Sequence, residues 1–83
     1  METDNIHIVV NPTAGSGKAK RVAHNLIRKI KSITDYDFNL TFTIDKNDAL
    51  FITRKAISEG ASMIIAVGGD GTVNEVVNGF FIA

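Results

Sequence analysis

Two glycine-bearing stretches carry the polar groups of this chain best suited to holding an anion: Asn11-Pro12-Thr13-Ala14-Gly15-Ser16-Gly17-Lys18 and Val67-Gly68-Gly69-Asp70-Gly71-Thr72-Val73-Asn74-Glu75. In the first, Gly15 and Gly17 can take positive φ and turn successive N–H groups toward one point. A helix start just beyond them adds free N–H groups and a partial positive charge. Each N–H to phosphate bond is charge-assisted and contributes about 1.5–3 kcal/mol, so a few of them hold a nucleotide phosphate without a side-chain cation. Lys18 and Lys20 add to the field. In the second stretch Gly68, Gly69 and Gly71 let the backbone approach a ligand closely, and Thr72 offers a hydroxyl at a helix start. Asp70 is the unusual member, because a bare carboxylate repels phosphate. It fits if a magnesium ion, a lysine or a substrate hydroxyl stands between, or if it merely shapes its own turn.

Neither loop matches the familiar nucleotide motifs. The P-loop pattern needs glycine where this chain has Pro12 and a serine or threonine where it has Ala19, so no magnesium-holding hydroxyl follows Lys18. The dinucleotide fingerprint needs a small residue where Lys20 stands. The dipeptide Asp70-Gly71 is also a common hairpin signal. Val73, Val76, Val77 and Phe80, however, recur at i, i+3, i+4 and i+7, which predicts a helix from Thr72 to Phe80 instead.

The elements that must position these loops alternate. Ile6 to Val10 is a β-branched run that stops at Asn11-Pro12 and reads as a strand. Val22, Ala23, Leu26, Ile27 and Ile30 place an apolar face on a helix of about 14 residues. Phe38, Leu40, Phe42 and Ile44 alternate with polar residues, giving a half-buried strand near a sheet edge that Thr43 ends. Asp48 is placed to cap a second helix, and Gly60 stands where a left-handed C-terminal cap is expected. Met63 to Val67 is apolar throughout, as in a strand buried on both faces of a parallel sheet. The expected fold is α/β, a βαβαβα three-layer parallel sheet with right-handed connections. With the first strand between the other two, both glycine loops and Thr43 fall on one rim, beyond the carboxyl ends of the strands where ligands of open parallel sheets bind.

Composition narrows the function classes. Nine basic and nine acidic residues in 83 give zero net charge, which argues against a nucleic-acid binder. Six basic residues from Lys18 to Lys31, with no acid among them, form either a solvated face or an attraction for anionic ligands or lipid headgroups. The absence of cysteine excludes a disulfide framework and a thiolate metal site and fits a cytoplasmic location. No apolar run is long enough to span a membrane, so any membrane contact is expected to be peripheral. His7 and His24 are given no role. The apolar ending Phe80-Phe81-Ile82-Ala83 leads to the expectation that this is the N-terminal piece of a longer chain.

Residues 68 to 79, GGDGTVNEVVNG, together with NPTAG at 11 to 15, resemble the diacylglycerol kinase catalytic domain family, which includes bacterial-type lipid kinases, sphingosine kinases and ceramide kinases. The resemblance spans essentially the whole chain. It implies the incomplete N-terminal part of the nucleotide-binding domain of a two-domain lipid kinase, whose lipid-binding C-terminal domain is absent from these residues. The implied activity is ATP-dependent phosphorylation of a lipid hydroxyl, diacylglycerol-like or related, with magnesium, in lipid metabolism or phospholipid biosynthesis. The implied ATP-site residues are Asn11, Pro12, Thr13, Ala14 and Gly15, Thr43, and Gly68, Gly69, Asp70, Gly71, Thr72, Val73, Asn74 and Glu75. Asp70 is either the base that takes the lipid hydroxyl proton or, as in bacterial-type members, part of a water and magnesium network, with the main base beyond Ala83. The implied setting is the cytoplasmic side of a membrane, peripheral to its inner face. The oligomeric state stays open, a homodimer included. The rival readings are a soluble NAD kinase-like enzyme, since GGDGT is shared with NAD kinases and phosphofructokinases, and a nucleotide-binding module without chemistry. Asn74-Glu75 directly after the loop favours the lipid-kinase pattern.

Overall fold

The computed structural model describes residues 5–81. Residues 1–4 and 82–83, the latter pair being part of the apolar ending, lie outside the described residues. The elements are β1 (Asn5–Val10), a tight turn over Ala14–Gly17, α1 (Lys18–Lys31), β2 (Asp37–Phe42), α2 (Asp48–Ser58), β3 (Met63–Val67) and α3 (Asp70–Gly79). The strands form one parallel sheet in the order β2-β1-β3, with Ile8 opposite Leu40 on one side and Ile65 on the other.

β1 is central, and its side chains explain why. Ile6, Ile8 and Val10 pack with Ala19 and Ala23 of α1, whereas Val9, which points the other way, packs with Ala49 of α2 and Val76 of α3. Alternate residues of a strand face opposite sides of the sheet, so the layers are α1, the sheet, and α2 with α3. Burying each of these four side chains completely stabilises the fold by about 1.5–3 kcal/mol. Small residues, Ala19, Ala23, Ala49 and Ala56, stand at the buried helix positions and let the helices approach the sheet closely.

Several expectations change in detail. β3 is not buried on both faces: Met63 is 49% exposed and Val67 alone in the strand is buried, because β3 is an edge strand among the described residues. Ile44 does not continue β2; the strand ends at Phe42 and Ile44 is 88% exposed. α3 begins at Asp70, two residues before the expected start. Asp70, Gly71 and Thr72 are therefore its first turn, not a loop, and there is no hairpin. Asp48 is not the cap of α2. Asn47 holds that place at φ 73, and the Asp48 carboxylate turns back to accept from the N–H groups of Ile44 and Asp45.

At the far end of α2 the expectation for Gly60 holds. Its φ is 99, its N–H donates to the Ile57 carbonyl, and the Ala61 N–H donates to the Ala56 carbonyl. That is the two-bond Schellman closure of a helix, which requires a left-handed residue and favours glycine.

Candidate active site

The carboxyl ends of β1, β2 and β3 meet at one rim. The ladder runs one residue past each strand pair: the Asn11 N–H donates to the Val67 carbonyl at 2.9 Å and the Thr43 N–H to the Val10 carbonyl at 2.8 Å. These two bonds fix the origins of both neighbouring loops against the end of β1.

Beyond Val10 the chain turns sharply. Asn11 accepts on its side-chain oxygen from both the N–H (3.2 Å) and the hydroxyl (2.9 Å) of Thr13, while the Ala14 N–H donates to the Asn11 carbonyl. Gly15, Ser16 and Gly17 then follow at φ 60, 58 and 90. Three consecutive residues in the left-handed region bend the chain into α1, and two of the three are glycine because only glycine takes that conformation freely. α1 opens with no side-chain cap and no acid in its first turn, and instead carries Lys18, Lys20 and Arg21 there. Cations at a helix N-terminus oppose its dipole by about 0.3–1 kcal/mol each; an anion placed before the turn reverses that penalty.

The rim holds two hollows, one on each side of the β1 loop. On the α2 and α3 side, Asn11, Thr13, Thr43, Gly71, Thr72 and Glu75 line a polar cavity of about 240 Å³, together with Ile44, Asp45, Lys46 and Ala49. Three segments as far apart as residues 11, 43 and 75 thus converge on one space. On the α1 side, Ala14, Gly15, Gly68 and Gly69 line a larger, more apolar hollow of about 400 Å³ with Lys18, Ala19, Val22 and Val67. Pro12, Asp70, Val73 and Asn74 line neither. Asp70 is exposed at the first position of α3, Val73 is 46% exposed on the same helix, and the Asn74 carbonyl accepts from the Asn78 side chain at 2.9 Å.

α3 likewise starts without a side-chain cap, so the N–H groups of its first turn are left to the rim. The glycines here differ in purpose. A Cβ on Gly68 would stand 2.5 Å from Thr72 Oγ1 and 2.8 Å from Thr72 Cβ, so Gly68 is required by the packing of the buried Thr72 side chain. Above Gly69 and Gly71 there is open space, with nothing within 4 Å of an added Cβ. That space is what close approach of a ligand to the backbone needs.

Two features of the site are absent from local sequence patterns. Glu75 is part-buried; its Oε1 accepts from the Ala49 N–H at 3.2 Å and so caps α2 from the neighbouring helix. Lys46 stands in the wall of the polar cavity, where it brings a positive charge between Thr43 and α2. Among the described residues no group of three or more histidines, cysteines or acids is placed to hold a metal ion.

Comparison with known proteins agrees with this fold. The family profile of the diacylglycerol kinase catalytic domain matches residues 5–82. The chain is 39% identical over 72 residues to a diacylglycerol kinase of Staphylococcus epidermidis, covering 87% of this chain and 22% of that protein. It is 36% identical over 72 residues to the diacylglycerol kinase of Staphylococcus carnosus, covering 23% of it. A solved structure described as a candidate diacylglycerol kinase from Bacillus anthracis str. Sterne superposes with a TM-score of 0.78 at 28% identity, over 95% of this chain and 28% of that one. The chain thus spans less than a quarter of the length of these curated relatives. With the family profile matching residues 5–82 and the fold shared with the solved structure, the chain belongs to the diacylglycerol kinase catalytic domain family.

Proposed function

We propose that this chain supplies the nucleotide phosphate site of a kinase that transfers a phosphoryl group from ATP to a lipid hydroxyl. The observation that carries the reading is the convergence of the Asn11–Thr13 loop, Thr43 and the uncapped start of α3 on one polar cavity. The staphylococcal relatives are named diacylglycerol kinases, and a lipid alcohol of that kind is the acceptor we assign. The soluble alternative, an NAD kinase-like enzyme, would share only the GGDGT core with this chain.

In this reading the backbone at Gly71 and Thr72 donates to phosphate oxygens, and Thr43 and Asn11 fix the nucleotide from the opposite wall. Lys46 neutralises charge that gathers on the phosphates. The open space above Gly69 and Gly71 admits the ligand to hydrogen-bonding distance. Magnesium, when bound, screens the phosphate charges, and Asp70 is the group on this chain that would hold it, directly or through water. Asp70 in that role is not the base that takes the proton from the lipid hydroxyl. The contribution of this segment to catalysis is positioning and charge stabilisation. No helix of the described residues is long and apolar enough to cross a membrane, and the proposed enzyme meets its lipid from the cytoplasmic side, at the membrane surface.

The test has two arms. Titration of the 83-residue chain with ATP and magnesium, followed by amide NMR, should perturb Asn11, Thr43, Gly71 and Thr72 first; unchanged spectra at saturating nucleotide would refute the site. The complete protein carrying this chain should phosphorylate diacylglycerol or a related lipid in mixed micelles, and the 83-residue chain alone should not. Preference for NAD would move the protein to the soluble alternative.

A further inference from the structure

We infer that Asp48 is a positioning residue for the nucleotide site, holding the β2–α2 loop as one wall of the polar cavity. This inference rests on the reading of that cavity as the nucleotide phosphate site. Thr43, Ile44, Asp45 and Lys46 all line the cavity, yet the side chains of the loop give it little packing to rest on. Ile44 is 88% exposed, and Asp45, Lys46 and Asn47 are exposed as well. Its shape is therefore set by hydrogen bonds.

At the upstream end the Thr43 N–H is tied to the Val10 carbonyl at 2.8 Å. Immediately after it, the N–H groups of Ile44 and Asp45 both donate to a single carboxylate oxygen, Asp48 Oδ2, each at 2.8 Å. The Asp48 N–H closes the loop by donating to the Asp45 carbonyl at 3.2 Å. Two short charge-assisted bonds on one oxygen fix the orientation of successive peptide units, and they fix it next to Thr43 and Lys46. The same two bonds hold the Asp48 carboxyl below its ordinary range, Asp45 contributing more than Ile44, so the clamp is ionised at neutral pH. One residue on, the Ala49 N–H is held by Glu75 of α3. The first turn of α2 thus fastens the loop on one side and the phosphate helix on the other, and Asp48 is the half of that fastening that no ligand contact requires.

The experiment compares D48A, D48N and the unsubstituted 83-residue chain by amide exchange and by titration with ATP and magnesium. D48A should lose exchange protection at Ile44 and Asp45 while β1 amides stay protected, and should bind ATP about fivefold or more weakly, since loosened positioning of a binding group costs affinity. D48N keeps one neutral acceptor and should recover part of both. If D48A does not fold, the same two readings on D48N decide. Full ATP affinity in a folded variant whose Ile44 and Asp45 amides have lost protection overturns the inference while leaving the site intact. So does unchanged protection of those amides in D48A. Failure of the unsubstituted chain to bind ATP overturns the phosphate-site reading and this inference with it.

Discussion

Replacing Gly71 by alanine separates the two reasons a glycine can stand in a phosphate loop. Gly71 lies in the first turn of α3 with φ on the ordinary negative side, and an added Cβ meets nothing within 4 Å. Within the protein alone the substitution is favourable: alanine is the better helix former and narrows the unfolded ensemble, a gain of about 0.4–1 kcal/mol. For a domain of this size that raises Tm by about 2–8 °C. Against a bound phosphate the same methyl group occupies the space through which the backbone N–H groups would be reached. Loss of one such bond, at about 1.5–3 kcal/mol, weakens nucleotide binding roughly 10- to 150-fold. G71A should therefore gain stability and lose ATP, read by thermal circular dichroism and by the amide titration on the same sample. G68A is the contrast: its Cβ collides with Thr72 at 2.5 Å and 2.8 Å, and both stability and binding should fall. ATP affinity within twofold of the unsubstituted chain in a folded G71A would show that no ligand packs on this backbone and would refute the assignment.

Three further outcomes follow from the structure. Gly79 touches α2, where a Cβ would stand 2.7 Å from Thr53 Cβ and 2.9 Å from the Leu50 carbonyl oxygen; G79A should cost about 1–3 kcal/mol by overpacking, and T53A should not rescue it because both of those atoms remain, as a denaturation series on the two variants would show. His7 is half-buried with Nε2 2.8 Å from Thr41 Oγ1, and burial lowers its pKa despite the opposing pull of Glu59. The stability this contributes is complete above the unfolded value of about 6.5 and is lost as pH falls through the lower folded value; H7Q should flatten the pH dependence of Tm in that acidic window, and an unchanged slope would assign it to other groups. In the complete protein D70N should leave Tm nearly unchanged, since Asp70 is exposed, while removing most kinase activity; full turnover would reduce Asp70 to a turn residue.

How much of this was legible beforehand depends on the range of the interaction. The β1 run, the 14-residue α1 and the Gly60 closure of α2 were readable because each is decided by neighbours within one or two turns. Met63 is apolar yet exposed, because hydrophobicity reports what a side chain prefers and carries no information on which strand ends up at the edge. Asp48 was placed as a forward cap because a carboxylate before an apolar periodic run usually accepts from the helix that follows. Here Asn47 takes the left-handed position, which moves Asp48 inside the helix and aims it backward at Ile44 and Asp45. Glu75 could be found in the motif, but not its partner: the Ala49 N–H is 26 residues away and comes within reach only when α2 and α3 pack side by side.

That pairing bears on why the polar cavity is built as it is. The two helices that wall it are uncapped by their own side chains at the ends facing the rim. α2 receives its missing acceptor from Glu75, so only the first turn of α3 is left with free donors. A helix pair in which one member is capped by the side chain of the next, and the next is left open, directs the unsatisfied N–H groups of the pair to a single place. Adding a negative cap to α3 itself would satisfy those groups internally and remove the reason for an anion to enter.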